Sequence, residues 1–473
     1  MTNYIRICKI GGLRIMGALK KHGFSSFDVY IFIILIAFEL LMSFTFLGYI
    51  HIPPVSVTLA YIPILIAACF LGTVQSTVVG AVFGLASMYK STAFYALHAD
   101  RLFSPFLSGN PIGSLILSVG TRTFFGFLIG LAFSWAKKSK RPKLCIGVVS
   151  LIAPTLHAFL VLTASGIFFP DELGEFVSPF LIISNIILSI FCVGIVEFSW
   201  REYTEKSLKT VKRAIDKSSC IPNVNSSKQK FLISLFTLFI FGMTIAAALY
   251  FANRMSFMLR QHNVAVSAVI TGDLIHLQVQ FMMALFSLNV ISVVILILGY
   301  QYTAYKSFLG ELDAVTNVMG RRLFLNCCER AQSGADLQTR GEGWFLFLDV
   351  DNFKTVNDTL GHTVGDGVLK KVAFILKNTF GGFGIVGRMG GDEFAVMIDK
   401  KTFSDEEIKK LTDGFLSEIS GIIDAPLKVS CSIGACRFSF PADIAVLMNK
   451  TDAYLYRAKE NGRACCVIGS MSD

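Results

Sequence analysis

The chain has 473 residues, a formal net charge of +10, 53% hydrophobic residues and only 16% charged residues. Soluble proteins carry about 25% charged residues, so this composition excludes a chain that is soluble throughout. Charged residues are sparse up to about residue 300 and of ordinary density beyond it, which predicts a membrane half followed by a soluble domain. The eleven cysteines contain no C-x-x-C pair, so neither a zinc site nor a disulfide framework is indicated.

Eight apolar segments are candidates for membrane-spanning helices, each of which needs about 20 residues. A cytoplasmic N-terminus, 1–26, without a removable signal peptide, precedes them. Six spans form a predicted sensor domain at 27–200, a basic cytoplasmic loop follows at 201–230, and two further spans with a short outer segment lie within 231–304. The eight segments are 27–50, 55–71, 73–90, 110–136, 145–168, 179–200, 231–252 and 281–303.

Basic residues beside these segments predict the orientation, because the cytoplasmic loops of membrane proteins are enriched in Lys and Arg. Two loops, 137–143 and 201–213, are strongly basic, whereas 165–178 holds no Lys or Arg. Eight spans place both basic loops and the C-terminal domain in the cytoplasm. The sequence therefore predicts a multi-pass protein of the bacterial inner membrane. The Lys and Arg clusters are interpreted as signals of membrane topology and not as a nucleic-acid surface, so the expected partner is the lipid bilayer and not nucleic acid.

Two charged residues, Glu39 and Arg122, fall within predicted spans. An ionised group at the bilayer centre costs about 2.5–3.5 kcal/mol on insertion scales, so both side chains are expected to face the bundle interior or a polar cavity. One interpretation is a ligand site or a mutual pair. The alternative, which the sequence alone favours, is a structural ion pair or an arginine that reaches the membrane surface.

The first six spans resemble the substrate-binding S component of ECF-type vitamin transporters. The resemblance depends on six spans in about 200 residues and on the segment YIPILIAACFLGTVQSTVVGAVFGLASMYK at 61–90. Gly72, Gly80 and Gly84 in this segment are expected to let helices approach closely. The resemblance implies a membrane pocket for a small molecule such as a vitamin, used for sensing more readily than for transport.

Beyond residue 304 the pattern is that of an α/β domain. A connecting helix is predicted at 305–332, which either carries membrane motion or simply packs on the core. A buried strand at 344–348 ends at two acids, and Gly390-Gly391 between two β-prone runs predicts a hairpin. The other predicted elements are helices from about 365, at 404–421 and at 441–460, and strands at 427–436 and 463–468.

Four ordered motifs in this domain resemble the landmarks of the GGDEF family. RMGGDEF at 388–394 matches the signature, and DVDNFKTVNDTLGHTVGD at 349–366 matches the metal- and guanine-binding segment. SIGA at 432–435 and DAYLYRAKENGR at 452–463 follow at the expected distances. The resemblance covers about 305–470. It implies a mostly antiparallel sheet flanked by helices, similar to nucleotide cyclases, and a diguanylate cyclase that condenses two GTP molecules into cyclic di-GMP and two pyrophosphates.

The resemblance also implies a metal centre. Asp349, Asp392, Glu393 and the backbone carbonyl of Val350 would bind two Mg²⁺ (or Mn²⁺) ions at each GTP. Asp392 and Glu393 are the catalytic candidates, and Asp392 would help to deprotonate the 3′-hydroxyl. These residue types suit the chemistry, because divalent cations held by oxygen ligands activate a hydroxyl and neutralise a triphosphate.

Substrate contacts follow from the same resemblance. Asn357 and Asp366 would read guanine, since an amide and a carboxylate complement its carbonyl and N–H groups, and His362 lies in the same segment. Gly390 and Gly391 would let the turn approach the nucleotide. The phosphate-side positions are Phe353, Lys354, Lys459 and Arg463, and Arg388 would support the turn.

Simpler roles stay open for some of these residues. Asp351 and Asp358 are more simply helix-capping or solvated acids. His362 could orient its loop, and Lys459 and Arg463 could be solvated cations at a helix end.

The sequence departs from the family pattern in three places. The opening D-x-L-T-G-L-x-N-R reads DAVTNVMGR at 313–321, with Asn317 in place of Gly, which puts the coupling between entry helix and active site in doubt. The product-inhibition motif R-x-x-D reads Gly-Gly-Phe-Gly at 381–384, so no guanidinium is available there and no feedback inhibition through that site is predicted. Ala464 stands where the family has Asn.

Three functions are compatible with these features. The first is an active cyclase, which needs two domains face to face and hence a homodimer. The second is a catalytically degenerate GGDEF receptor that binds GTP and signals by protein contacts. The third is a transport protein with a regulatory domain.

Overall fold

The structure, a computed structural model, comprises two compact units, a helical unit within residues 25–303 and a sheet unit that begins at Ala304. Residues 1–24, which belong to the predicted cytoplasmic N-terminus, lie outside the described part. The described residues are 25–52, 55–96, 98–172, 179–205, 207–218, 227–262, 267–332, 341–399, 403–422 and 428–472.

The helical unit contains eleven helices in its described part. They are α1 (Ser26–Phe44), α2 (Ile62–Phe70), α3 (Thr73–Lys90), α4 (His98–Arg101), α5 (Pro111–Leu115), α6 (Thr121–Lys138), α7 (Pro142–Phe168), α8 (Pro179–Glu205), α9 (Ser207–Ser218), α10 (Ser227–Gln261) and α11 (Ala268–Gly310). A π-helical turn, Ile116–Gly120, joins α5 to α6, and a short 3₁₀ helix, Pro170–Glu172, follows α7.

Five helical segments in the described part are long and apolar enough to cross a membrane. These are Ser26–Phe44, Pro111–Lys138, Pro142–Phe168, Phe231–Gln261 and Ala268–Gly310. The chain is therefore consistent with a membrane-associated protein, whereas the prediction of eight spans is not confirmed.

The second predicted span, 55–71, is not one helix. Its first residues form strand β2 (Val55–Thr58), which pairs antiparallel with β1 (Tyr49–Ile52). Only the nine residues of α2 are helical, and a helix of nine residues is about 14 Å long, too short to cross a bilayer. The sequence prediction was wrong because apolar runs rich in β-branched residues suit a strand as well as a helix.

Close helix packing in this unit depends on glycines, as predicted for Gly80 and Gly84. A Cβ at Gly84 would lie 2.6 Å from the Cα of Val119, and one at Gly80 would collide with the carbonyl of Arg122. Helix α3 therefore packs directly on the backbone of α6 and of the π-helical turn before it. The predicted role of Gly72 differs, since this residue precedes α3 with a φ of 111° and makes the turn from α2.

The sheet unit is a mixed six-stranded sheet flanked by helices. Its elements are β3 (Met319–Gly320), α12 (Arg321–Gln332), β4 (Glu342–Val350), α13 (Phe353–Leu360), α14 (His362–Phe380), β5 (Gly384–Gly390), β6 (Glu393–Ile398), α15 (Asp405–Ser420), β7 (Cys431–Ser439), α16 (Ile444–Glu460) and β8 (Cys466–Ser470). The strand order is β3-β5-β6-β4-β7-β8. Only the outer pairs, β3 with β5 and β7 with β8, are parallel.

Strand β4 lies in the centre of the sheet and is buried on both faces. Trp344, Phe345 and Leu346 are completely buried, and alternate residues of the strand enter different apolar clusters on the two sides of the sheet. The continuous apolar run of β4 is typical of such a doubly covered strand. Because β4 is an inner strand, its last residues, which include the predicted acids, lie in the middle of the row of strand ends.

The predicted connecting helix at 305–332 is interrupted. Helix α11 ends at Gly310, and α12 begins only at Arg321. Between them the Asp313 carboxylate accepts hydrogen bonds from the backbone N–H and the hydroxyl of Thr316, at 2.8 and 2.6 Å. Such local side-chain bonds compete with helical ones, so the chain turns here although its apolar spacing is helical.

Candidate active site

The predicted metal ligands meet where β4 ends beside the β5–β6 turn. Asp349 on β4 is the direct antiparallel partner of Glu393 on β6, so both side chains leave the same face of the sheet. The Val350 N–H donates a 3.2 Å hydrogen bond to the Asp392 carbonyl oxygen, which ties the turn to the end of β4. The sheet register thus brings Asp349 close to Asp392 and Glu393, which lie more than 40 residues further along the chain.

Several carboxylates lie close enough in this group to influence one another. Burial raises the pKa of Asp349, and the nearby Asp392 and Asp351 carboxylates act in the same direction. Burial and the carboxylates of Asp349 and Asp392 likewise raise the pKa of Glu393. One counter-charge is close, because Lys459 Nζ lies 2.8 Å from an Asp349 carboxylate oxygen.

The donor set fits a hard divalent cation. Within the described residues no three His, Cys, Asp or Glu side chains are grouped so that they could hold a metal ion by themselves. Mg²⁺ does not require such a cage, because one or two carboxylates suffice when substrate phosphates and water complete its shell. Asp349 and Glu393 provide two adjacent carboxylates, and burial together with the neighbouring carboxylates raises the pKa of both.

The predicted guanine-binding residues lie on the helical pair that follows β4. Asn357 is half-buried on α13, and its side chain lies directly over Gly365 of α14, where a Cβ would collide with the amide oxygen. Asp366 and His362 are exposed at the start of α14. The two helices are separated only by Gly361, whose φ of 84° allows the sharp turn between them.

The predicted phosphate-side residues occupy different environments. Phe353 is half-buried and packs against the core, so part of its role is structural, whereas Lys354 is exposed. Lys459 is the member of this group that contacts a predicted metal ligand, Asp349, directly. Arg463 is exposed, has a φ of 66° and donates its N–H to the Ala458 carbonyl oxygen at 3.1 Å.

Asp351 has a role that the sequence interpretation missed. It is neither solvated nor a helix cap, as it is 4% exposed and accepts bonds from the hydroxyls of Ser430 and Ser432, at 2.7 and 2.6 Å. Its Oδ2 also accepts the Ala464 N–H at 3.2 Å. Asp351 thus joins the ends of β4 and β7 to the segment before β8. The signal for this role was the pair of serines flanking Cys431.

The glycine turn is held by the first residue of its own motif, Arg388. Arg388 donates from Nε and Nη2 to the Gly391 carbonyl oxygen, at 2.9 and 2.5 Å, and from Nη1 to Asp313. Gly390 and Gly391 are both exposed, and Gly391 has a φ of 43°. The support that the sequence predicted for Arg388 is therefore present.

The altered entry segment forms an intact turn. Asn317 has a φ of 55°, in the left-handed region where Asn is one of the few tolerated non-glycine residues. Its N–H donates to the Asp313 carbonyl oxygen at 2.9 Å. Asn317 therefore takes part in the turn that presents Asp313 to Arg388.

In the helical unit, Glu39 and Arg122 are both buried, at 0% and 4% exposure. They interact electrostatically, but Arg122 Nη1 donates to the carbonyl oxygens of Leu117 and Ser118 and not to Glu39. Neither a snorkelling arginine nor a direct ion pair, the two alternatives favoured from sequence, describes this arrangement.

The GGDEF diguanylate cyclase family model matches residues 311–465. The chain is 37% identical over 166 residues to the probable diguanylate cyclase DgcI of Escherichia coli, a match covering 34% of each protein. It is 30% identical over 166 residues to the diguanylate cyclase TpbB of Pseudomonas aeruginosa, covering 34% of this chain and 38% of TpbB. The match to the solved GGDEF domain of DgcB from Caulobacter crescentus, in complex with c-di-GMP, has 24% identity and a TM-score of 0.32, and covers 34% of this chain and 96% of that one.

The chain thus spans about a third of the length of these two curated relatives. The resemblance of the first six spans to a transporter S component gains no support from these comparisons. Three observations agree for the sheet unit: the motifs, the mixed sheet that carries them and the family match. Residues 311–465 are therefore a GGDEF domain.

Proposed function

We propose that this protein is a diguanylate cyclase that condenses two GTP molecules into cyclic di-GMP and two pyrophosphates. The observation that carries the proposal is the convergence of Asp349, Asp392 and Glu393 at the end of β4 and the β5–β6 turn of a GGDEF domain. The relatives named as diguanylate cyclases support it.

Each half-reaction forms a bond between a 3′-oxygen and an α-phosphorus and breaks the α–β phosphoanhydride bond. Bound Mg²⁺ or Mn²⁺, two ions at each GTP in this proposal, would polarise the phosphates and acidify the hydroxyl. Asp349 and Glu393, with the Val350 carbonyl, would hold the ions. The Asp392 carboxylate would accept the hydroxyl proton as the 3′-oxygen attacks. Pyrophosphate leaves with the electron pair of the broken bond.

Substrate binding is assigned to the side chains around this group. Asn357 and Asp366 would read the guanine edge, with His362 beside them. The exposed Gly390-Gly391 turn leaves room for the nucleotide. Lys459 would exchange its contact with Asp349 for a phosphate oxygen when GTP binds, because a cation would then take over the Asp349 charge. Phe353, Lys354 and Arg463 would line the phosphate side.

Catalysis requires two such domains to face each other, because each GTP attacks the other. We therefore infer a homodimer. The product would not inhibit through the R-x-x-D position, since 381–384 carries no arginine.

We further propose that the helical unit is embedded in the bacterial inner membrane with the GGDEF domain in the cytoplasm, and that it regulates the cyclase by binding a small-molecule ligand. The five long apolar helical segments support a membrane location. The basic stretches 137–143 and 201–213 support the orientation.

The test is product formation by the full-length protein in lipid vesicles with GTP and Mg²⁺, followed by mass spectrometry. Asp392→Ala should abolish cyclic di-GMP. Asp413→Ala, an exposed acid on α15, is the control and should leave the rate unchanged. Dimeric protein that binds GTP yet forms no cyclic product would contradict the proposal and favour the non-enzymatic GTP receptor.

A further inference from the structure

The segment that follows α16 has a strained backbone. Gly462, Arg463 and Ala464 all have positive φ angles, of 102°, 66° and 52°. Glycine adopts this conformation freely, whereas Arg and Ala adopt it at a cost in free energy. Such strain persists only where surrounding contacts determine the conformation, and it is concentrated at functional sites. The left-handed conformation of Arg463 and Ala464 therefore points to a use for their placement.

Hydrogen bonds hold both peptide groups that flank the Arg463 Cα atom. The N–H of Arg463 donates to the Ala458 carbonyl oxygen in the last turn of α16, at 3.1 Å. The N–H of Ala464, which belongs to the peptide group on the other side, donates to Asp351 Oδ2 at 3.2 Å. Because both peptide groups are held, the direction of the Arg463 Cα–Cβ bond is determined. The Arg463 side chain is exposed and can reach a ligand in solvent.

The acceptor in this arrangement, Asp351, is itself firmly held. It is 4% exposed, and its carboxylate accepts bonds from the hydroxyls of Ser430 and Ser432, at 2.7 and 2.6 Å. The Asp351 N–H also donates to the Ser430 carbonyl oxygen at 2.9 Å. Buried polar networks whose members are all bonded are rigid, so Asp351 Oδ2 is a fixed point for the Ala464 N–H.

The end of β4 contacts the end of α16 at two points. Lys459 Nζ lies 2.8 Å from Asp349 Oδ2, and Asp351, two residues further along the chain, accepts the Ala464 N–H. In the proposed function, Lys459 leaves Asp349 when a cation and GTP bind. The contact of Asp351 involves no proposed metal ligand, so it persists through this exchange and keeps 462–464 beside the metal site.

We propose that Asp351 is a positioning residue for GTP, and that it acts by directing Arg463 toward the triphosphate without touching the nucleotide. The proposal rests on the proposed function, which assigns Arg463 to the phosphate side. A guanidinium forms paired hydrogen bonds with phosphate oxygens in a narrow range of orientations. An arginine whose Cα–Cβ direction is already determined loses less conformational freedom when GTP binds.

The test measures binding and not turnover. The full-length protein in lipid nanodiscs is titrated with 3′-deoxy-GTP and Mg²⁺, because a nucleotide without the attacking hydroxyl cannot be cyclised. Asp351→Leu keeps the branched shape of the side chain and removes both acceptor oxygens. Its Kd should rise about ten-fold, the factor for one lost charge-assisted contact. Asp351→Asn retains one oxygen for the Ala464 N–H, so its Kd should stay within about three-fold of that of the unaltered protein.

Combination with Arg463→Gln separates positioning from a general structural defect. Arg463→Gln alone should raise Kd about ten-fold. The double variant Asp351→Leu with Arg463→Gln should also show about ten-fold and not about a hundred-fold, because both changes remove the same contact. Multiplied effects, equal weakening in Asp351→Asn and Asp351→Leu, or unchanged affinity in Asp351→Leu would each overturn the proposal.

Thermal unfolding followed by circular dichroism verifies that each variant folds. If Asp351→Leu does not fold, Ser430→Ala and Ser432→Ala are added, because replacing both partners of a buried hydrogen bond by apolar groups is nearly neutral. The same comparison with Arg463→Gln is then made in that background, with the same expected and contradicting results. Failure of the proposed function is distinguishable, since unaltered protein would then bind 3′-deoxy-GTP but form no cyclic di-GMP from GTP.

Discussion

Arg388 Nη1 donates a 2.9 Å hydrogen bond to the Asp313 carboxylate while the same guanidinium holds the Gly391 carbonyl oxygen. The residue that opens the GGDEF domain is thereby connected to the turn that carries Asp392. Burial alone would raise the pKa of Asp313, but the hydrogen bonds from Thr316 and Arg388 outweigh it and lower that pKa. Arg388 therefore links the entry turn to the β5–β6 turn.

This relationship predicts coupled effects of Asp313→Asn and Arg388→Gln. Each single change should lower product formation and stability, because each frees the glycine turn. The double variant should be about 1 kcal/mol less destabilised than the sum of the singles, the coupling typical of a partly buried pair. Urea denaturation of the four proteins measures it. Additive single effects would show that the contact does not stabilise the domain.

A second prediction concerns Gly365, which lies beneath Asn357. In Gly365→Ala the new Cβ would collide with the Asn357 amide oxygen and approach Phe353 Cζ to 3.3 Å, so Asn357 must move. We expect KM for GTP to rise about ten-fold, the factor for one lost hydrogen bond of about 1.4 kcal/mol.

Gly367→Ala, in the same helix, provides the matched control. Nothing lies within 4 Å of its new Cβ, so it should stabilise α14 by about 0.5–1 kcal/mol and leave KM unchanged. Steady-state kinetics of both variants separate the two effects. A parallel rise of KM in Gly367→Ala would refute a specific role for the Asn357 contact.

The third prediction concerns backbone strain before β8. Ala464 has a φ of 52°, a left-handed conformation that costs an L-residue about 1–2 kcal/mol. Ala464→Gly should therefore raise the free energy of unfolding by about 1 kcal/mol, and Ala464→Asn by somewhat less. Ala453→Gly, at an exposed helical position of α16, should do the opposite and destabilise by about 1 kcal/mol. Denaturant titration gives the sign of each change.

The fourth prediction concerns pH. The pKa of Glu393 is raised in the folded state, so its ionised carboxylate destabilises the nucleotide-free fold at pH values above both the folded and the unfolded pKa. Glu393→Gln should increase Tm at pH 7 by about 1–2 °C, a modest effect because the group is partly exposed. The difference should disappear below the unfolded pKa of about 4.3. A Tm difference that grows as the pH falls would contradict the assigned sign.

Sequence patterns predicted the elements of the GGDEF domain well where spacing and chemistry agreed. The hairpin at Gly390-Gly391 and the helices near 404–421 and 441–460 are confirmed as β5–β6, α15 and α16. The prediction of one continuous helix at 305–332 was wrong. The turn at Asp313 depends on hydrogen bonds, and the spacing of apolar residues does not reveal them. The helical segment at 55–71 was wrong because apolar, β-branched runs are ambiguous between strand and helix.

The sequence by itself determined which residue types form the site and that the chain has an apolar and a polar half. Motifs and hydropathy are local properties of the sequence. Only the tertiary structure decided that Asp349 faces Glu393, that Asp351 is buried, and that Arg122 is buried beside Phe83. Strand register and helix packing bring distant residues together, and the resulting burial and charge cannot be read from neighbours along the chain.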